Sequence, residues 1–528
     1  MQCSKSAFMR ALSTVLFIAL SVALGQSCQT WLLSGPEDVM QTSFLSHNLW
    51  LTSNSGSHAM IGGGYDNTAS GDYATVSGGY TNIAGDYAST VGGGYTNAAS
   101  GYVATVAGGF VNAASGNYAT AGGGYRNTAM AHSSGVLSGR NNAAGDATSD
   151  TGAVVAGGRE NLATAAYTTV SGGCYNTADG NRATVGGGNG NAASGDKATV
   201  SGGDDNTASG EYATVGGGVA NTASANCATV GGGLSNTASG YYSPTVSGGT
   251  NNAASASNAT VGGGAYNTAN DTFTTVGGGY DNAARGPFAT IGGGYSSTAG
   301  GSYATVGGGY SNSASGYDAT VGGGNCNTAS GSYATVGGGN YNTASGSYAT
   351  VPGGYSNAAR GAASFAAGSC ARAFHLGSFV WSDSAAGNDS VYTTGQNQFR
   401  VRARGGTWFY SNLNRTTGVR LAADGTSWIS IGPYDRTDGS RPVDGRTLLD
   451  KVASLPVNEH GSKDESGAPR SIGPTARDFH AAFGYGTEDG ISTSDADGVL
   501  LAAVQALCEQ NQTLNKRVAE LEARLKER

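Results

Sequence analysis

The chain has 528 residues, of which 91 are glycine, 9 are proline and only 12 % are charged. The formal net charge is −8 and no basic segment interleaved with aromatic residues is present, so nucleic acid is not an expected partner. Glycine does not recur at every third position, which excludes collagen, and the 27 tyrosines argue against a simple disordered chain.

The amino terminus has the features of a secretory signal peptide over residues 1–25. Lys5 and Arg10 supply positive charge, residues 11–24 form an apolar core, and Gly25 ends a stretch suited to cleavage. The apolar run of about 14 residues is shorter than the roughly 20 that span a bilayer as a helix. We expect a secreted or cell-surface protein with no membrane span in the mature chain; a retained amino-terminal anchor is the alternative.

An apolar residue followed by glycine recurs every 15 residues after a short connector over residues 26–58. This valine column consists of Ile61, Val76, Val91, Val106, Ala121, Val136, Val155, Val170, Val185, Val200, Val215, Val230, Val246, Val261, Val276, Ile291, Val306, Val321, Val336 and Val351. Four extra residues precede Val155 and one extra residue precedes Val246. The consensus reads A-T-V-G-G-G-Y-x-N-x-A-S-G-x-Y.

The repeat predicts a mainly β fold, a parallel β-roll or solenoid of about 20 rungs. Alternation in Ala-Thr-Val puts Ala and Val on one side and Thr on the other. The glycines and the Asn-x-Ala-Ser-Gly segment supply two turns per rung. Twenty rungs at ~4.8 Å give a rod of roughly 95 Å, whose small Val and Ala side chains bury little area, so we expect oligomerisation.

Two further columns follow the same period. Asn stands six residues after each valine-column residue, broken only at Ser297, and is expected to satisfy turn backbone groups and to stack its amides. Tyr recurs at two positions, for example Tyr65 and Tyr303, as a subunit contact or an exposed binding stripe.

Cleavage after Gly25 would leave six cysteines: Cys28, Cys174, Cys227, Cys326, Cys370 and Cys508. Neighbours in the repeat region are at least 44 residues apart, or about three rungs and roughly 14 Å, whereas a disulfide needs Cα atoms within about 7 Å. Free thiols or bridges between chains are therefore expected.

Residues 59–383 resemble the head repeats of YadA-like trimeric autotransporter adhesins. The best match is residues 364–368, continuing to Phe379, Val380 and Trp381, which is similar to the capping repeat of such heads. The resemblance implies a left-handed β-roll, a homotrimer and an adhesive or surface-display role with a cell-surface glycan or protein as partner. The C-terminal part does not resemble the membrane-anchoring barrel segment of those adhesins.

Beyond the repeats, residues 384–433 read as a β connector, because residues 398–403 and 418–421 alternate as strands. Residues 446–455 form a plausible short helix, and a heptad pattern predicts a coiled coil over about 499–526. Its trimerisation residues are Leu500, Val504, Leu507, Asn511, Leu514, Val518, Leu521 and Leu525. The alternative is an amphipathic helix packed on its own domain.

Residues 434–528 resemble the intramolecular chaperone, or auto-processing, domain of endosialidase tailspikes, a small α+β domain with a trimeric coiled coil. The motif residues are Ile472, Gly473, Pro474, Asp478, Phe479, Asp495, Asp497 and Gly498. The resemblance implies a trimeric assembly clamp that a Ser/Lys dyad cuts off. Here Tyr434 stands at the nucleophile position and no Lys follows before Lys451, so we expect self-cleavage to be lost.

The sequence offers no enzyme motif: no phosphate loop, no nonapeptide calcium roll, no paired carboxylates and no metal-ligand spacing. We expect neither catalysis nor a cofactor or metal. Two alternatives to a structural, adhesin-like fibre stay open. One is a glycan-binding or glycan-degrading tailspike-like protein. The other is an ice-binding solenoid, because one Thr precedes most valine-column residues, as at Thr75 and from Thr169 to Thr350.

Overall fold

A computed structural model describes residues 52–146, 151–384, 389–432, 441–460 and 471–527. The chain divides into two compact units at the bond between Arg400 and Val401. The first unit is the predicted parallel β-solenoid, with about 22 turns of about 15 residues each.

Each rung contributes one two-residue strand to each of two sheets. Strands of the first sheet run from Met60–Ile61 and Thr75–Val76 to Thr350–Val351. Strands of the second sheet alternate with them, from Ser53–Asn54 and Thr68–Ala69 to Thr343–Ala344 and Ala358–Ala359. Every strand pairs in parallel with its equivalent in the next rung, as Thr75–Val76 does with Thr90–Val91.

The core is a continuous stack of alanine and valine between the two sheets. Ala74 and Val76 are fully buried from the first sheet and Ala69 from the second, while Thr75 between the first two points outward and is half-buried. The predicted alternation of Ala, Thr and Val is therefore confirmed. Each rung has only one strand in each sheet, so its valine is covered only when other rungs stack above and below it.

Both turns of a rung continue the backbone ladder through residues with positive φ. The first turn joins the first-sheet strand to the second-sheet strand, and the second turn leads to the next rung. Thr81 in a first turn (φ 55°) donates its amide to Tyr65 O at 2.8 Å, and Tyr73 in a second turn (φ 59°) donates to Ser57 O at 2.7 Å. These bonds offset the local cost of left-handed backbone, which is about 1 kcal/mol or more per residue.

The last glycine of each first turn has no room for a side chain. A Cβ on Gly79 would lie 2.2 Å from Gly94 O of the next rung and 2.6 Å from the Asn82 amide nitrogen of its own rung. Its φ of 101° is also unfavourable for any other residue. Close stacking of rungs therefore requires glycine at this position.

Parallel pairing continues beyond residue 383. The final strands of the solenoid are Phe365–Ser369, Ala371–Ala373, Phe379–Ser382 and Val391–Tyr392, and Phe399–Arg402 adds to the first sheet. Val391 pairs with Ala371, and the Phe379 amide donates to Gln398 O at 2.8 Å. The Arg400 guanidinium donates to Tyr392 O at 2.6 Å and to Thr394 Oγ1 at 2.9 Å at this end of the roll.

The second unit contains an antiparallel sheet of three strands, Thr407–Tyr410, Gly418–Leu421 and Trp428–Ile431. A hairpin pairs Asn458–His460 with Ser471–Gly473. Its described residues also form three helices: α1 (Gly445–Ser454), α2 (Ala476–Phe483) and α3 (Thr493–Lys526). Within the described ranges, none of the helices combines the length and apolar character needed to cross a membrane.

Candidate functional site

The three helices of the second unit begin at polar caps that the sequence supplies. Asp444 accepts from the Arg446 amide at 3.1 Å at the start of α1, and hydrogen bonds from Thr447 hold the pKa of Asp444 below its usual range. Thr475 accepts from the Asp478 amide at 3.1 Å at the start of α2. Ser492 accepts from the Asp495 amide at 3.1 Å at the start of α3. These bonds satisfy amides that have no partner inside a helix.

A small apolar core joins the helices. Leu448 of α1, Phe479 of α2 and Val499 and Ala503 of α3 are buried together. The approach is close where α1 begins, because a Cβ added to Gly445 would lie 2.9 Å from the Ala506 Cβ. One stripe of α3, at positions 499, 503 and 506, therefore faces its own domain.

The predicted heptad stripe lies one position further along α3, about 100° around the helix, and is not part of this core. All of its apolar members are exposed, from 49 % for Val504 to 74 % for Leu525. Asn511 is exposed as well, and its side-chain oxygen accepts from the Asn515 amide group at 3.1 Å. The structure thus places the eight predicted residues together on one helix face, where nothing in the chain covers them within the described residues.

The eight motif residues of the second unit are spread over its framework. Phe479 is in the core, and Asp478 and Asp495 belong to the helix caps. The Gly473 carbonyl oxygen accepts a hydrogen bond from His460 Nε2 at 2.8 Å. Ile472 is 79 % exposed. Pro474 is half-buried before the Thr475 cap, whereas Asp497 and Gly498 are exposed in the first turns of α3. The structure does not gather them into one pocket. The degenerate nucleophile position, Tyr434, lies outside the described residues, as do residues 1–25.

In the roll, the asparagine column is the most extensive polar feature. The Asn206 side chain donates to Gly202 O at 3.0 Å and Gly218 O at 2.8 Å, and its oxygen accepts from the Asn221 amide at 3.0 Å. Asn206 is fully buried, as are most other members of the column. The predicted structural role, satisfying turn backbone and stacking amides, is confirmed.

The tyrosine columns stack on themselves along the turns. Neighbouring rings of Tyr65, Tyr80, Tyr95, Phe110 and Tyr125 have centroids 4.8 to 5.2 Å apart and planes within 10°. The Arg140 guanidinium continues this stack at 5.6 Å from the Tyr125 centroid. Since ring faces cover one another in this run, it offers mainly ring edges and hydroxyl groups to solvent. In the second-turn column, pairs such as Tyr303–Tyr317 meet edge to face instead.

Sequence reasoning missed two features. One is the second stripe of α3, formed by small residues that carry no strong periodic signal beside the leucines. The other is a stack of three outward aromatic rings, Phe365, Phe379 and Phe399, whose centroids lie 4.7 and 4.9 Å apart. The spacing of these residues, 14 and then 20 positions, departs from the period that exposed the other columns.

The cysteines of the described region are free: Cys174, Cys227, Cys326, Cys370 and Cys508. Searches of protein-family models and of curated proteins find no match to this chain. The assignment of a function therefore depends on the geometry of the chain itself and on the two resemblances noted in its sequence.

Proposed function

We propose that this chain is a secreted or cell-surface, homotrimeric structural fibre of adhesin-like type, whose second unit holds the copies together. The observation that carries the proposal is the exposed heptad stripe of α3. Its seven apolar side chains are not part of the only core that the unit has within the described residues. Another copy of the same helix is the partner that a heptad stripe fits.

Burial energy supports the assembly. A Leu or Val side chain that moves from water into a packed core contributes about 1.5–3 kcal/mol, so the stripe supplies a substantial driving force for association. Val504 and Val518 occupy a positions and leucines occupy the d positions, a combination that favours two strands in parallel coiled coils. The number three is therefore supported by the two sequence resemblances and not by the stripe, while the small side chains of the roll favour association without fixing the number of copies.

Light scattering on the full chain tests the proposal. We expect a mass of three chains for the natural protein and of one chain for Leu507→Asp, because three carboxylates would then be desolvated at the helix interface. Gln512→Asp is the matched control, since position 512 lies outside the stripe on the same helix. A natural protein that scatters as one chain would overturn the proposal, and a mass of two chains would correct its stoichiometry.

The proposal includes export and a retained clamp. Mass spectrometry of the exported product tests both at once. We expect a chain that begins near Gln26 and extends to Arg528, with Tyr434 unable to act as the nucleophile of a Ser/Lys dyad. A released fragment of about 10 kDa that starts near residue 434 would contradict the loss of self-cleavage.

An adhesive fibre needs a surface for its ligand, and the turn columns offer one. They carry exposed Tyr hydroxyls and residues that change from rung to rung, such as Arg159, Asp204 and Leu234 in one column. A glycan bound there would contact the tyrosine hydroxyl groups, because stacking covers the ring faces on which a sugar could otherwise pack. Loss of glycan binding in Tyr295→Phe, with the ring stack retained, would support this role; depolymerisation of a polysaccharide would favour the tailspike-like enzyme instead. Thermal hysteresis would favour ice binding.

A further inference from the structure

The outer face of the first sheet is unusual because it carries no charge. Two columns point outward on this face, one residue before and one residue after each valine-column residue. In the rung of Val276 they are Thr275 and Gly277. Over all 20 rungs, every one of which lies within the described residues at these positions, the two columns contain no Asp, Glu, Lys, Arg or His. They hold chiefly Thr, Gly, Ser and Ala.

Charged residues lie on the other surfaces of the roll. Arg126, Arg140 and Arg159 follow one another along the first turn, and Arg182 and Lys197 along the second. The outer face of the second sheet carries Asp179, Arg285 and Arg360. Charge is therefore absent from one face of the roll rather than scarce everywhere.

The same uncharged face ends in an exposed aromatic patch. Phe365 pairs with Thr350, and Phe379 with Phe365, so these rings continue the outward threonine column. Phe399 stacks next and is 65 % exposed, while Trp381 beside them is 37 % exposed. These rings stack on one another within the chain, and the part of them left exposed forms an apolar patch of the kind that marks contact sites.

Cyclic symmetry selects this face for contact between copies. In a cyclic oligomer, a residue near the axis meets the same residue of the other copies. A column with Arg140 or Lys197 near the axis would bring like charges together, which destabilises the assembly. An uncharged face has no such penalty, and interface cores are depleted of charged residues.

The area is substantial. Twenty rungs at ~4.8 Å and a strip about 10 Å wide give roughly 950 Å² per copy, compared with ~800 Å² per partner in a standard interface between two chains. In a trimer this strip is shared between two neighbours, so it adds to the association through α3 and does not replace it. We propose that the outer face of the first sheet, ending in Phe365, Phe379, Phe399 and Trp381, is the surface by which each roll packs against the other copies around the symmetry axis. This inference rests on the proposed oligomer and names the surface that it uses in the first unit.

Single cysteines in one rung test the inference in the full chain. In a background with Cys28, Cys174, Cys227, Cys326 and the exposed Cys508 changed to Ser, Thr275→Cys places a thiol on the uncharged face and Tyr280→Cys places one on the first turn. A short bismaleimide should cross-link copies through position 275 at least tenfold more than through position 280, as measured by denaturing gel. Ala283→Cys, on the second sheet, reports the opposite face and should also remain uncross-linked.

Light scattering on the same samples separates the two proposals. A trimer that cross-links through position 280 or 283 but not 275 overturns this inference and leaves the proposed assembly standing. A monomer overturns both. Phe379→Asp adds a second measurement: the trimer should dissociate at a protein concentration at least tenfold higher than the natural chain, whereas Tyr392→Asp on the second sheet should leave that concentration unchanged. Equal effects of the two substitutions would contradict the inference.

Discussion

The roll and the helical unit differ in how far a single chain buries their apolar side chains. Val215 and its equivalents, except Ile61 in the first rung, are fully buried by the neighbouring rungs of a single chain. Leu507 and its equivalents on α3 are about half exposed, although leucine is the larger apolar residue. A repeat can bury its core by adding copies of itself in sequence, whereas a single helix can do so only by adding copies of the chain.

This difference separates folding from assembly. The roll has its backbone ladder and core within one chain, and in our proposal only its outer face contacts other copies. The helical unit has a core of four buried residues, Leu448, Phe479, Val499 and Ala503, and leaves its longest apolar stripe in solvent. We therefore expect rung substitutions to affect stability of the single chain and stripe substitutions to affect association.

The largest expected effect is that of a charge inside the roll. Val215→Asp would place an unpaired carboxylate among fully buried neighbours, at a cost of more than about 4 kcal/mol. Limited proteolysis should then cut near residue 215 while the second unit stays intact. Ser209→Asp, on the exposed outer face of the second sheet, is the control and should remain resistant. Resistance of both variants would mean that one rung does not depend on its neighbours.

The asparagine column gives a smaller effect that can be reversed. The Ser297 backbone amide donates to Asn282 Oδ1 at 3.0 Å, as in other rungs. Its side chain, however, lacks the NH2 group that an Asn donates to two glycine carbonyls, as Asn206 does. Ser297→Asn should raise the free energy of unfolding by about 1 kcal/mol, and Asn206→Ser should lower it by a similar amount. Denaturant melts of both variants provide the measurement. A destabilising Ser297→Asn would show that this rung cannot accommodate the amide.

A comparable gain is expected in the helical unit at Gly498. It lies inside α3 with helical backbone, and a Cβ there would meet nothing within 4 Å. Gly498→Ala should stabilise the unit by about 1 kcal/mol, because glycine is unfavourable within a helix. Urea denaturation monitored by helical circular dichroism measures this. A loss of trimer in this variant would instead reveal that another copy approaches the glycine closely.

The smallest expected effect is a pH dependence in the roll. Burial, followed by the neighbouring Tyr317 and Tyr348, raises the pKa of Tyr333. A tyrosine whose folded pKa exceeds its unfolded value of about 10 contributes stability below that pH and loses it as pH rises through the folded pKa. Between about pH 9 and pH 11, the melting temperature of Tyr333→Phe should therefore fall less steeply than that of the natural chain. Identical slopes would contradict the assignment.

The sequence was sufficient to predict the fold of the roll, because the pattern of the roll repeats every 15 residues. Each Ala-Thr-Val unit specifies an inward, outward and inward residue, and Asn at a fixed distance specifies the turn that follows. Positive φ at Tyr73 and Thr81 was not evident, because it depends on hydrogen bonds to the previous rung rather than on residue type. The short helix at residues 446–455 was predicted within one residue, as α1 spans Gly445–Ser454.

The candidate site was predictable only in part, because some of its features do not follow a repeating pattern. The heptad spacing located the stripe of α3, but it could not show that Val499 and Ala503 face the unit's own core one position away. The stack of Phe365, Phe379 and Phe399 arises where the period breaks down, so only the paired strands reveal that these rings share a column.

The asparagine column also determines how the length of the rod can change. The Asn161 amide donates to Asn142 Oδ1 at 2.9 Å across the four-residue insertion, and Asn252 donates to Asn236 at 3.0 Å across the one-residue insertion. Each rung thus presents the same donor and acceptor to its neighbours, so rungs are interchangeable parts. Duplication or deletion of whole repeats by recombination would lengthen or shorten the fibre in steps of ~4.8 Å without creating an unmatched joint.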